Sequence, residues 1–192
     1  VIHVEGGIRS WDLTMPEEIN RMVTDSITDY FFTTSETANS NLINSGIKKE
    51  NIFFVGNTMI DTLLKHRSNF KKPPIWDEVG LKGKNYIVMT LHRPANVDEE
   101  NILKELMDEI IKHSCGIPII FPVHPRTSKI IKSLLSANSQ QPITKNLHLV
   151  EPLGYLEFNY LVEKSKAVIT DSGGITEETT VMDIPCMTLR DN

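Results

Sequence analysis

The sequence has 192 residues, 25 of them acidic and 20 basic, for a formal net charge of −5, with 40% hydrophobic and 23% charged residues. That is the composition of a globular chain long enough for one ordinary domain or two small lobes. The negative balance and thinly spread lysines argue against nucleic acid as the main partner. No apolar run approaches the ~20 residues of a membrane span; the longest, Ile117 to Val123, is broken by Pro118 and Pro122.

The two cysteines, Cys115 and Cys186, lie far apart in apolar company and are expected to be buried free thiols of a reducing, cytoplasmic compartment. No basic n-region opens the chain, so no signal peptide is visible. Its first residues already read as strand, which suggests that sequence precedes them.

In chain order, Ile2-His3-Val4 is strand-like and runs into the glycine turn Glu5-Gly6-Gly7-Ile8-Arg9. A helix is expected from Thr14-Met15-Pro16-Glu17, with Thr14 and Glu17 at capping-box spacing and Pro16 in the first turn. Ile19, Met22, Val23 and Ile27 are its expected buried stripe. Tyr30 to Thr33 is a strand, Glu36 to Asn44 a helix stopped at Gly46, Asn51 to Val55 a strand, and Met59 to Leu64 a helix entered through Gly56-Asn57. Residues 68–84, polar and basic with Pro73-Pro74, Gly80 and Gly83, read as a linker.

Beyond it, strands are expected at Tyr86 to Leu91, Ile117 to Val123, Leu147 to Val150, Ala167 to Ile169 and Cys186 to Leu189. Helices between them carry Ile102, Leu103, Leu106, Met107, Ile110 and Ile111, then Ile130, Ile131, Leu134 and Leu135, then Phe158, Leu161 and Val162, and the last starts near Gly173. Alternation of this kind implies right-handed crossovers and parallel sheets, hence an α/β fold in two blocks.

Ligands of parallel sheets collect beyond the carboxyl ends of the strands. There the sequence sets Glu5, His92-Arg93, His124, Glu151 and Asp171-Ser172. One such residue is ordinarily a solvated loop residue; several together point to a site. Thr170-Asp171-Ser172-Gly173-Gly174-Ile175-Thr176-Glu177-Glu178 admits two readings. It is either a helix start that takes a phosphate or diphosphate on free N–H groups, or simply a helix capped by Asp171 or Ser172.

His3-Val4-Glu5 matches the H-x-E of zinc deaminases, but Pro185-Cys186-Met187-Thr188-Leu189 lacks the second cysteine, and the histidines have no metal-ligand spacing. Ser172 has no nucleophile elbow around it, and no Walker or dinucleotide fingerprint occurs.

Six motifs together resemble one family: His3-Val4-Glu5-Gly6-Gly7-Ile8-Arg9-Ser10; Met15-Pro16-Glu17-Glu18-Ile19-Asn20-Arg21; Val55-Gly56-Asn57 with Asp61; His92-Arg93 with Asn96; Pro122-Val123-His124-Pro125; and Thr170-Asp171-Ser172-Gly173-Gly174 with Glu177-Glu178. The family is the non-hydrolysing UDP-N-acetylglucosamine 2-epimerases, and the resemblance runs from the first residue to the last. It implies two Rossmann-like lobes of the glycosyltransferase-B type with a nucleotide sugar in the cleft. Residues 1–67 would be the latter half of the sugar-side lobe and 85–192 the nucleotide-binding lobe.

The implied reaction interconverts UDP-GlcNAc and UDP-ManNAc by elimination and re-addition of UDP, without metal or other cofactor. By the same resemblance Glu5 and Glu17 are the acid/base carboxylates and His92 a catalytic histidine. His124, Ser172, Gly173 and Gly174 hold the diphosphate, and Glu178 the ribose. Arg93 is similar to an arginine that in some members contacts a second, activating substrate molecule. The resemblance also implies a homodimer and a place in surface polysaccharide precursor synthesis. A diacetamido UDP-sugar substrate, a glycosyltransferase, or a binding fragment without activity are the alternatives.

The sequence departs from the family pattern at Ala95, where many members have glutamate, and at Gly6 and Thr176, expected to be mild packing variations. Members of the family are also longer at both ends, so the sequence resembles an internal piece, with an incomplete N-terminal lobe and a truncated C-terminal end. An exposed sheet edge and apolar surface are expected in consequence.

Overall fold

The computed structural model describes residues 1–123, 128, 130–131 and 146–189. The chain divides into two compact units, Val1–Thr62 and Leu63–Asn192, both α/β with wholly parallel sheets. Among the described residues no helix is long and apolar enough to cross a membrane.

In the first unit, strands β1 (Ile2–Val4), β2 (Tyr30–Thr33) and β3 (Ile52–Phe54) lie side by side in sequence order. Helices α1 (Pro16–Ser26) and α2 (Glu36–Asn44) make the crossovers. Ser35 caps α2 through its hydroxyl, which accepts from the Ala38 N–H at 3.2 Å. At the other end Gly46 takes φ 88 and the Ile47 N–H returns to the Leu42 carbonyl at 3.0 Å, the left-handed ending for which glycine is suited. Phe31, Ala38 and Leu42 form the buried centre. Asn57 caps α3 (Thr58–His66), its Oδ1 accepting from the Met59 N–H at 2.9 Å.

Two expectations for α1 are corrected. Its N-cap is Met15, with no side-chain cap bond; Thr14 instead donates from both N–H and hydroxyl to Asp12 Oδ1. Thr14 and Glu17 therefore make no capping box. The apolar stripe is also turned outward: Ile19, Met22, Val23 and Ile27 are exposed, and the buried residues of α1 are Glu18 and Asp25. The polar face is inward because it grips the turn after β1, described below. Ile2, Val4, Phe53 and Phe54 are likewise exposed, in line with the apolar surface expected from the sequence.

In the second unit, β4 (Ile87–Thr90), β5 (Ile119–Pro122), β6 (Leu147–Val150), β7 (Ala167–Thr170) and β8 (Cys186–Thr188) form a sheet in the order β6-β5-β4-β7-β8. Both faces are covered, as a parallel sheet requires. Met89, Ile119, Phe121 and Ile169 pack with Leu103, Met107 and Ile111 of α6 (Glu100–His113), and Ile131 joins that core. The alternate residues Val88, Ile120 and Val168 are buried on the opposite face. Below α6 in sequence, α5 (Pro94–Val97) is a single turn. Leu134 and Leu135, expected on a helix after β5, lie outside the described residues.

Residues 67–84 carry a 3-10 turn, Arg67–Asn69, and one helical turn, α4 (Ile75–Glu78). Trp76 of α4 meets Tyr86 and Tyr160 edge-on at 5.7 and 5.4 Å, and Arg67 Nε donates to Glu163 at 2.8 Å. Tyr160 and Glu163 belong to α7 (Tyr155–Lys164), which precedes β7; α8 (Gly173–Val181) follows it. Both cysteines are free, but Cys115 is exposed and Cys186 half-buried. Cys115 occupies a left-handed turn position at φ 52 ahead of β5, not the core position its apolar neighbours suggested.

Candidate functional site

From β4 the chain of the second unit moves outward through β5 to β6, then returns to place β7 on the other side of β4. The crevice beyond the carboxyl ends of β4 and β7 is therefore the topological switch point, where such sheets bind ligands. Thr90 pairs in register with Thr170, their hydroxyls 3.2 Å apart. The residues that follow, His92-Arg93 on one strand and Asp171-Ser172 on the other, consequently emerge side by side.

Asp171 is fully buried. It accepts from the His92 N–H at 3.0 Å, the Arg93 N–H at 2.9 Å and Asn96 Nδ2 at 3.0 Å. Its Oδ1 also stands 2.7 Å from His92 Nδ1. Burial alone would raise the Asp171 pKa, but these donors and the neighbouring His92 outweigh it and hold the carboxyl below the ordinary carboxylate range. The His92 ring is 62% exposed. With Nδ1–H committed to the carboxylate, Nε2 is the nitrogen left to accept or deliver a proton.

Next to this pair, Ser172 is the N-cap residue of α8 by backbone geometry, yet its side chain makes no cap bond. Its own N–H is taken by Thr170 Oγ1 at 3.0 Å. Among the described residues, the N–H groups of Gly173 and Gly174 have no acceptor. Of the two readings of this motif, side-chain capping by Ser172 or Asp171 is thus absent, and the helix start is open to an anion. One turn on, Glu178 is buried and accepts from the Tyr155 hydroxyl at 2.9 Å. Burial, with the like charge of Glu177, raises the Glu178 pKa against the Tyr155 hydrogen bond, and Tyr155 itself is pushed up to about 12, chiefly by burial.

In the first unit, Glu5 ends β1 in a left-handed conformation, φ 64, which a residue with a Cβ adopts only against a penalty. Gly7 follows at φ 80, where a Cβ would sit 2.5 Å from the Ala38 carbonyl oxygen. Gly6 is more constrained than a mild packing variation: an alanine Cβ would meet Phe31 Cδ1 at 2.9 Å. Glu17 is exposed in the first turn of α1. Among the described residues, the carboxylates of Glu5 and Glu17 have no hydrogen-bond or ion-pair partner.

The structure therefore brings His92, Arg93, Ser172, Gly173 and Gly174 to one crevice, with Glu178 one turn along α8, while Glu5 and Glu17 belong to the other unit. His124 lies outside the described residues. Asp171 and Tyr155, which hold His92 and Glu178, were not singled out as such from the sequence.

A family profile described as UDP-N-acetylglucosamine 2-epimerase matches residues 1–192. The chain belongs to the UDP-N-acetylglucosamine 2-epimerase family. It is 40% identical over 198 aligned residues to the UDP-N-acetylglucosamine 2-epimerase of Methanocaldococcus jannaschii, covering 100% of this chain and 54% of that protein. The crystal structure of that epimerase in complex with UDP-GlcNAc and UDP matches with a TM-score of 0.80 over 100% of this chain and 54% of the other. A Neisseria meningitidis UDP-GlcNAc 2-epimerase bound to UDP-GlcNAc matches with a TM-score of 0.81 at 30% identity, over 100% of this chain and 53% of that one. The UDP-2,3-diacetamido-2,3-dideoxy-D-glucuronate 2-epimerase of Pseudomonas aeruginosa is 33% identical, over 100% of this chain and 52% of that protein. This epimerase-family chain thus spans about half the length of the curated relatives it matches.

Proposed function

We propose that the chain carries the acid/base and nucleotide-binding residues of an isomerase that interconverts UDP-GlcNAc and UDP-ManNAc. The observation that carries this reading is the open start of α8 beside the His92–Asp171 pair, at the switch point of a parallel sheet. The diphosphate of UDP lies against Ser172 and the N–H groups of Gly173 and Gly174, with His124 as a further contact. Helix-start N–H groups favour that charge, more so as the leaving group develops it. Glu178 takes the ribose hydroxyls. Arg93 serves a second, activating substrate molecule.

In the elimination half, a carboxylate, Glu5 or Glu17, removes the proton at sugar C2 while the C1–oxygen bond to UDP breaks, leaving a 2-acetamidoglucal. In the return half, UDP adds back at C1 and the other carboxylate delivers a proton to the opposite face of C2. Positioned acids and bases of this kind contribute roughly 10²–10⁴-fold each. His92, oriented by Asp171, holds or moves a proton at the departing diphosphate through Nε2.

The enzyme is cytoplasmic, acts as a homodimer and supplies a surface polysaccharide precursor. Likeness to the Pseudomonas aeruginosa protein supports a second reading, in which the sugar is a diacetamido relative. Proton NMR of UDP-GlcNAc in D2O with the 192-residue chain tests the first. Deuterium at C2 with a ManNAc anomeric signal is the expected result; ligand broadening without exchange would leave a nucleotide-binding chain only.

A further inference from the structure

The apolar face of α1 is exposed and its charged face buried, so the charges call for an account. Asp25, in the last turn of α1, directs one carboxylate oxygen to His3 Nδ1 at 2.5 Å and the other to an Arg9 guanidinium nitrogen at 2.5 Å. Arg9 donates its second terminal nitrogen to the Ile8 carbonyl at 2.8 Å. His3 lies two residues before Glu5 and Arg9 four residues after it, so one buried carboxylate grips both flanks of the left-handed Glu5 turn. Glu18 continues the grip: its carboxylate accepts from the Ser10 N–H at 3.0 Å, the Ser10 hydroxyl at 3.1 Å and the Trp11 N–H at 3.2 Å. These donors outweigh a burial that would raise it and hold the Glu18 carboxyl below its ordinary range.

We infer that Asp25 is a positioning residue: it holds Glu5 in its left-handed turn and in fixed relation to Glu17 on the same helix. A buried ion pair is by itself weak support for stability, because desolvation offsets its attraction, whereas it does specify one geometry. The turn also has an independent anchor in α2, where Asn41 Nδ2 donates to the Gly7 carbonyl at 3.0 Å and Ala38 and Leu42 pack against Gly7. Loss of Asp25 therefore releases the flanks of Glu5 without removing the turn's packing. The inference rests on the acid/base role of Glu5 given above.

The test uses Asp25→Asn in the 192-residue chain, with two readouts. One is the intraresidue HN–Hα NOE of Glu5, strong at positive φ and weak otherwise. The other is kcat and KM for deuterium exchange at C2 of UDP-GlcNAc. The expected result is a weakened NOE and a kcat lower by about 10²-fold, as displacement of a reacting group by an ångström produces, with KM little changed. A wild-type NOE and kcat in a destabilised Asp25→Asn would overturn the inference, leaving Asp25 merely structural. Should Asp25→Asn fail to fold, His3→Gln and Arg9→Lys each release one arm; wild-type values in both overturn it equally. If the wild-type chain exchanges no C2 proton, the epimerase reading has failed, and the NOE alone decides whether Asp25 holds Glu5.

Discussion

Replacing Asp171 gives the sharpest test of the crevice between β4 and β7. Asp171→Ala would strand three donors at once, the N–H groups of His92 and Arg93 and the Asn96 amide, all now directed at a fully buried carboxylate. An unsatisfied buried donor costs about 1–3 kcal/mol, so three stranded together cost at least about 3 kcal/mol. The His92 ring is left out of that sum because it is mostly exposed and its attraction is screened. We expect a loss of at least about 3 kcal/mol for Asp171→Ala, read from urea unfolding, and a smaller one for Asp171→Asn, which keeps one acceptor oxygen.

The pH dependence has a definite sign. The folded-state pKa of Asp171 lies below the ordinary 3.8, so its contribution is complete above that value and vanishes as pH falls through the depressed one. Asp171→Asn should accordingly lose less stability than the wild type on acidification below 3.8. An Asp171→Ala variant within about 1 kcal/mol of the wild type would refute the reasoning, since the three donors would then have found other partners.

Glu17→Gln should change unfolding free energy by no more than about 0.5 kcal/mol, because Glu17 is exposed and caps nothing, while C2 exchange falls roughly 10²–10⁴-fold; a stability loss without a rate loss would reverse the assignment. Gly7→Ala should lower stability by well over about 1 kcal/mol, since its Cβ would lie 2.5 Å from the Ala38 oxygen and 2.7 Å from Leu42 Cγ. Gly46→Ala, at φ 88 in open space, carries only the conformational penalty of about 1–2 kcal/mol, and equal thermal-melting losses for the two would rule out the clash. Burial raises the Glu178 pKa above the ordinary 4.5, so keeping it ionised weakens the fold increasingly as pH rises through and beyond that value. Glu178→Gln should be relatively more stable at pH 7 than at pH 4 in paired melting curves, and an unchanged difference would contradict the shift.

Much of the architecture could be read from periodicity and punctuation. The run Glu36 to Asn44, ended at Gly46, is the helix observed, and β7 leads into the start of α8 at Gly173 as the Ser-Gly-Gly motif implied. The candidate residues at strand ends were legible because parallel strands present their carboxyl ends to ligands whatever the strand order. Periodicity misled at α1, where Ile19, Met22, Val23 and Ile27 recur at helical spacing yet lie exposed. A repeating stripe records that a helix has an apolar side; it does not say what covers that side. Thr14 and Glu17 failed as a capping box for a local reason, since Asp12 competes for Thr14 at two-residue range.

Local chemistry along the chain determined the elements, the glycine turns at Gly7 and Gly46, and which titratable groups stand at strand ends, because these depend on spacings of a few residues. Tertiary structure decided what those groups do to one another. Asp171 meets His92 across 79 residues of sequence only because β7 pairs with β4 in register, and Asp25 reaches His3 across 22 only because α1 crosses back over β1. Orientation of a histidine or a strained glutamate depends on through-space partners a few ångströms away, and strand order, which sets those distances, is a property of the whole packed sheet.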